Sequence, residues 1–300
     1  MQRMRREFLG HEHGLVTRDG IPFDGVMFTV GTDGAVLAQH VACGVIGAPY
    51  APSSLAPTHA HVAIDISDYL HASEQCVDLP FTRHAIAFSG AAYGFDEQGY
   101  CYRELLYENG TWTVDARWDY RGQTLLEAND QGDFLRTSWH DNGRVSLISI
   151  DTQNDGDASL ALTAEGLVSS LRMNGGIFVH LSRRFPDGAF FPLRGPGDIS
   201  AYACAERLIM SGDLVDMRVL AVLNQKSAFA LTRELSLRDL ALTCDALSVL
   251  VAMPALRKLV IESAREEQRA IASSLKAARP GVEVKFHRKL AGKAATVERL

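Results

Sequence analysis

Phe88-Ser89-Gly90-Ala91-Ala92-Tyr93, followed after five intervening residues by Gly99, restates Phe23-Asp24-Gly25-Val26-Met27-Phe28, followed after five intervening residues by Gly34. Identical spacing in two copies points to a repeat architecture, whose units are each too small to bury their own apolar face. From Gly99 onward glycines recur at Gly110, Gly122, Gly132, Gly143, Gly156, Gly166 and Gly176, with a mean step of 11 residues. Several close Asx-rich turns, Glu108-Asn109-Gly110, Asp141-Asn142-Gly143 and Asn154-Asp155-Gly156, which are residue types that tolerate positive φ in two-residue hairpins. Alternating stretches lie between them, such as Thr111-Trp112-Thr113-Val114 and Arg144-Val145-Ser146-Leu147-Ile148-Ser149-Ile150. A strand of about five residues plus a turn of similar length gives this period. The spacing predicts an elongated antiparallel meander of stacked hairpins.

A second repeat occupies the carboxyl end. Leu235-Ser236-Leu237-Arg238-Asp239-Leu240 is followed 24 residues later by Leu259-Val260-Ile261-Glu262-Ser263-Ala264, and 23 residues after that by Val282-Glu283-Val284-Lys285-Phe286. Between these short strands lie helical compositions over 244–253 and 264–278, closed by Pro254 and by Pro280-Gly281. Strand and helix repeating at this interval predict parallel strands joined by right-handed crossovers. The stretch 183–197, with three prolines and three glycines, reads as the joint between the two regions.

The Tyr107-Glu108-Asn109-Gly110 and Ser138-Trp139-His140-Asp141-Asn142-Gly143 turns, with the paired F-x-G-x-x-[FY] units, resemble MORN-variant repeats over roughly residues 14 to 180. Leu256, Leu259 and Ile261, spaced as L-x-x-L-x-[LI], are similar to leucine-rich repeats, although the consensus Asn after each strand is missing. The expected fold class is therefore α+β: an antiparallel β-hairpin meander of MORN-like repeats over 14–182, then a short leucine-rich-repeat-like βα solenoid over 200–288. The resemblance also implies a biology. Bacterial chains of this pattern are often antitoxins or immunity proteins that block the active site of a cognate toxin. On that basis the expectation is a non-enzymatic protein-binding protein without cofactor, monomeric when free, whose partner is a toxin domain.

Composition narrows the classes further. The chain has 300 residues, 47% hydrophobic and 22% charged, with no apolar run long enough for a membrane span. A net charge of −6 gives no global positive field to attract nucleic acid or anionic lipid. Five cysteines without a C-x-x-C pair fit reduced thiols, hence a cytoplasmic protein. Arg5-Arg6-Glu7-Phe8-Leu9 imitates a twin-arginine export signal, but His11-Glu12-His13-Gly14 follows in place of an apolar stretch. Charge is also divided. Residues 90–170 carry 14 Asp or Glu against 5 Arg, whereas residues 265–300 carry 9 Lys or Arg against 4 Glu.

An acidic meander rich in aromatics suits a protein–protein surface, because Trp and Tyr dominate binding hot spots and a continuous field steers a charged partner. The candidate contact residues are Trp112, Asp115, Trp118, Asp119, Tyr120, Trp139 and Asp141. Cross-strand packing and solvated turns are the plainer roles for the same residues. Two chemical alternatives stay open. His59 and His61 with Asp65, and His71 or His11 and His13 as further ligands, compose a metal-dependent hydrolase. Cys101 or Ser138 with His140 composes a nucleophile and base, but no G-x-S-x-G elbow or oxyanion-hole glycine loop accompanies them. A repeat scaffold for protein assembly is a third reading.

Overall fold

The Asx-Gly punctuation of the sequence closes hairpins in the computed structural model, which describes residues 1–50, 63–66, 82–83, 86–153, 156–175, 203–225, 227–240, 242–243, 245–290 and 293–300. The chain divides into two compact units, Met1–Leu135 and Arg136–Leu300. Unit 1 holds β1 (Gln2–Arg5), β2 (Gly10–Glu12), β3 (Leu15–Arg18), β4 (Ile21–Pro22), β5 (Gly25–Val30), β6 (Val36–Ala42), β7 (Val45–Pro49), β8 (Ala63–Asp65), β9 (Thr82–Arg83), β10 (Ile86–Ala87), β11 (Gly90–Phe95), β12 (Cys101–Glu108), β13 (Thr111–Trp118) and β14 (Thr124–Asn129). Strand β15 (Phe134–Trp139) lies across the division. Unit 2 continues with β16 (Val145–Thr152), β17 (Gly156–Leu162), β18 (Val168–Met173), β19 (Cys204–Ser211), β20 (Glu234–Arg238), β21 (Lys258–Ser263), β22 (Glu283–Leu290) and β23 (Lys293–Arg299).

Two kinds of turn meter the hairpins. Asn109-Gly110 is the two-residue turn expected, with φ of 51° and 81°, and the same left-handed pair recurs at His13-Gly14, Asp19-Gly20 and Cys43-Gly44. The turns ending at Gly99, Gly122, Gly132 and Gly143 are one residue longer. In each, a residue three before the glycine accepts the glycine N–H and donates to the residue after the glycine, as in Asp96–Tyr100 at 3.0 Å. The Asx oxygen completes the turn. Asp96 Oδ1 accepts the N–H of Gln98 and of Tyr100, and Asp119 Oδ1 those of Arg121 and Gln123, all at 2.9 Å. Glycine is needed because its φ, 73° at Gly122, is strained for any side chain.

The two copies of the opening motif form β5 and β11, and they meet. Phe28 and Tyr93, the last aromatic of each copy, lie 4.8 Å apart in one core cluster with Val26, Val36, Ala38, Ala91, Phe95, Cys101 and Leu106. The first aromatics point elsewhere: Phe23 packs with Met4, Val16, Met27, Val41 and Tyr100, and Phe88 with Ile64, Ile66, Ala92 and Leu105. Alternation along each strand thus serves two cores. The motif glycine has its own reason. Strand β1 pairs in parallel with β5, placing Gln2 opposite Gly25, and a Cβ there would stand 2.3 Å from the Gln2 carbonyl oxygen and 2.8 Å from the Phe23 ring. We expect Gly25→Ala to cost about 1–3 kcal/mol and to release β1. Hydrogen exchange at the amides of β1 checks this, and unchanged protection there would refute it.

In unit 2, β16, β17 and β18 are antiparallel neighbours, β18 through β22 are parallel, and β23 returns antiparallel to β22. The described crossover helices are Met217–Gln225, Ala246–Ala252 and Glu266–Ala278. Leu235, Leu259 and Val284 align in one row and Leu237, Ile261 and Phe286 in the next, all buried. The helix Glu266–Ala278 packs on β21 and β22 and buries Gln268, Ile271, Ala272 and Leu275, the spacing of one helical face. The alternate positions carry cross-strand ion pairs, Arg207–Glu234 at 3.0 Å and Lys258–Glu234 at 3.6 Å.

The expected α+β fold with a leucine-rich-repeat-like βα solenoid is overturned. The chain is mostly β, and the parallel strands extend the ladder of the hairpins, with Ser170 and Leu171 of β18 opposite Ile209 and Met210 of β19. The last hairpin strand offers a row of backbone donors and acceptors, and a parallel strand satisfies them. The expected joint at 183–197 lies outside the described residues.

Candidate functional site

The seven expected contact residues fall in different settings. Trp112 is half-buried in β13 opposite Tyr107. Asp115 is 5% exposed and serves the fold: Arg103 donates to both its carboxylate oxygens at 2.9 Å, and Arg117 Nη2 donates to Oδ2 at 2.8 Å. Trp118 lies beneath the Arg3 guanidinium at 3.9 Å. Asp119 spends Oδ1 on its turn, whereas Tyr120 beside it is exposed. Trp139, half-buried, and Asp141, exposed, belong to unit 2 and are described apart from the others. Of the seven, Tyr120 alone lines a groove of unit 1, while Asp115 is buried against two arginines. Because two arginines face it, Asp115→Asn should cost about 1.5–3 kcal/mol, while the exposed Glu108→Gln stays within about 0.5 kcal/mol. Urea melts of the two variants check the contrast, and equal losses would refute it.

Around Tyr120 the described residues form a groove of about 440 Å³. One wall is the β3–β4 hairpin, where the Asp19-Gly20 turn places Arg18 opposite Ile21. The other wall comes from two of the longer turns, through Tyr100, Tyr120 and Arg121, and the buried Phe23 lies at the base. The Tyr100 and Tyr120 rings meet edge to face at 6.3 Å. The Arg18 guanidinium lies over Tyr100 at 4.8 Å and donates through Nη2 to its hydroxyl. Arg121 lies over Tyr120 at 5.2 Å, with Nε donating to that hydroxyl at 2.8 Å. Ile21, 69% exposed, and Tyr120, 55% exposed, supply apolar surface at the mouth. Sequence reading missed Arg18, Ile21, Tyr100 and Arg121 as contact candidates. The Asp-Gly turn between Arg18 and Ile21 was the available signal, since it fixes a hairpin tip.

Behind the groove sits a buried charge. Arg3, 5% exposed, donates to Glu104 Oε2 at 2.6 Å and to the Tyr50 hydroxyl at 2.9 Å, with its guanidinium against Trp118, Tyr50 and Phe28. Burial and the neighbouring Glu104 carboxylate hold the Tyr50 hydroxyl above its ordinary range. This arrangement positions β1.

His59, His61 and His71 lie outside the described residues, and among the described residues no group of three His, Cys, Asp or Glu is placed to hold a metal. His140 directs Nε2 to the Leu162 carbonyl at 3.0 Å. Cys101 is buried, and burial pushes its thiol up to about 11, far from a thiolate at neutral pH. Cys43 is exposed. Iodoacetamide at pH 8 should therefore label Cys43 while sparing Cys101 and Cys204, whose thiol burial raises to about 12. Peptide mapping by mass spectrometry reads the result, and early labelling of Cys101 would reopen nucleophilic chemistry.

No family model and no curated protein matches the chain. Among solved structures, the Glycosylation Associate Protein (Gap123) complex from Streptococcus agalactiae is similar at 11% identity with a TM-score of 0.18, over 75% of this chain and 45% of that one. Accessory secretory protein 1, 2 and 3 in Streptococcus pneumoniae is similar at 11% identity with a TM-score of 0.20, over 74% of this chain and 46% of that one. The chain spans less than half the length of either, and likeness at this level carries no argument about function.

Proposed function

We propose that the chain is a non-enzymatic protein-binding protein and that the arginine–tyrosine groove of unit 1 is its contact surface. The observation that carries this reading is the pairing of two cation–aromatic stacks with exposed Ile21 and Tyr120 around one groove. Tyr and Arg dominate binding hot spots because each offers a large, rigid, amphipathic surface at low entropic cost, and a large exposed aliphatic residue beside them favours desolvation by a partner. No described helix is long and apolar enough to cross a membrane. The narrower form, a cytoplasmic immunity protein covering a toxin's active site, is supported by the repeat resemblance and belongs to the same proposal. Within unit 1 its acidic-surface mechanism rests on Asp119, without Asp115; exposed Asp141 belongs to unit 2.

The test is affinity capture with the whole chain and with Ile21→Asp and Tyr120→Ala, circular dichroism confirming the folds. A discrete protein retained by the parent chain and held at least about 10-fold more weakly by the variants is expected, the effect of about 1.4 kcal/mol. Recovery of the same proteins by all three would overturn the groove as the contact surface.

A further inference from the structure

The cations of the groove say more about what enters it. The Arg18 guanidinium lies over Tyr100 and donates to its hydroxyl, Arg121 does the same at Tyr120, and the edge-to-face contact of the two rings brings both cations to one aromatic base. A guanidinium held in place presents a planar fork of N–H donors, the geometry that matches a carboxylate, and it has lost less entropy on binding than a free chain would lose. The groove already contains an example of that pairing. Asp19 Oδ2 lies 3.7 Å from Arg18 Nε, too long for a strong hydrogen bond, on a side chain that is 89% exposed at the tip of the β3–β4 turn. Solvent competes for such a pair, and its worth is small. The other acid at the groove, Asp24, has Oδ1 engaged by the Cys43 N–H.

Resting on the protein-binding reading, we infer that the groove receives an acidic peptide segment of its partner: a carboxylate takes the place Asp19 now occupies at Arg18, while a neighbouring apolar side chain covers Ile21. A nucleic-acid strand fits less well. Ile21 and Pro22 at the mouth offer a phosphate backbone no partner, whereas an apolar side chain of a peptide can cover them.

A random 12-residue peptide library displayed on phage, selected on the full chain, tests this. Enriched peptides should carry Asp or Glu beside an aliphatic or aromatic residue. A synthetic copy of the best peptide should bind at least 10-fold more weakly to the Arg18→Gln/Arg121→Gln variant, lose affinity in 0.5 M salt, and bind Asp19→Asn several-fold more tightly, because the competing carboxylate is gone. Asp19→Asn changes an exposed side chain and keeps the test valid if the double variant folds poorly. Enriched peptides that lack acids yet depend on Tyr120 and Ile21 would overturn the acidic assignment and leave the protein-binding reading standing. Enrichment with no dependence on any groove residue would overturn both. Binding of a 20-nucleotide single-stranded DNA that disappears in the double-arginine variant would overturn the peptide in favour of nucleic acid.

Discussion

Replacing Glu104 with Leu is expected to destabilise unit 1 by about 3–5 kcal/mol, because it strands a buried cation. Arg3 is 5% exposed and Glu104 4%, and their 2.6 Å contact joins residues 101 positions apart. Removing one partner leaves the guanidinium with Tyr50, Trp118 and Phe28, whose rings attract it by far less than a carboxylate does. The pair is also imperfectly satisfied, since Arg3 Nε is buried without a hydrogen-bond partner. That incompleteness makes a second expectation. The double variant Arg3→Met/Glu104→Leu, which removes both charges and keeps comparable volume, should return to within about 1 kcal/mol of the parent or exceed it. Urea titration followed by tryptophan fluorescence and far-ultraviolet circular dichroism measures all three chains, Trp118 reporting from beside the lost charge. A double variant as unstable as Glu104→Leu would show that shape, and not the unpaired charge, sets the cost.

Local features of the fold were legible because they are written at short range. Glycine spacing gave the hairpin turns, since positive φ is a property of single positions, and the aliphatic row of Leu235, Leu259 and Val284 followed from alternation. The helices Ala246–Ala252 and Glu266–Ala278 fall inside the stretches 244–253 and 264–278 read from composition. Turn length was less legible: Asn142-Gly143 looks like Asn109-Gly110, yet its turn begins at His140, because the acceptor three residues before the glycine decides the closure. That the parallel strands continue the sheet of the hairpins left no mark. The contact of β18 with β19 is made by backbone groups that every residue possesses. Arg3 was invisible for a related reason, as a basic residue near the amino terminus reads as surface unless its acid is known. Asp115 carried a usable signal. Alternation places Asp115 and Arg117 on one face, but the Asn109-Gly110 turn alone would set Arg103 opposite Ala116; the bulge between Leu106 and Tyr107 shifts the register by one and brings Arg103 opposite Arg117, so only half of the ion pair was legible.

Phe28→Ala should cost about 3–5 kcal/mol, the range for deleting a buried aromatic ring from a core that cannot collapse around the loss. Phe28 is fully buried, and its ring touches those of Tyr93, Phe95 and Tyr50 and the Arg3 guanidinium. Backbone on both sides of the cavity belongs to hydrogen-bonded strands, β5 with β6 and β11 with β12, which hold their spacing and keep the space open. The effect should also be shared. If the two copies of the opening motif stabilise each other through the Phe28–Tyr93 pair, amide exchange must accelerate in β11 and β12 as much as in β5 and β6. Tyr93→Phe, which keeps the ring, should leave both sets of amides close to their parent rates. Faster exchange confined to β5 and β6 would mean that the first copy depends on its own neighbours alone, and that the repeat is a coincidence of sequence with no packing behind it.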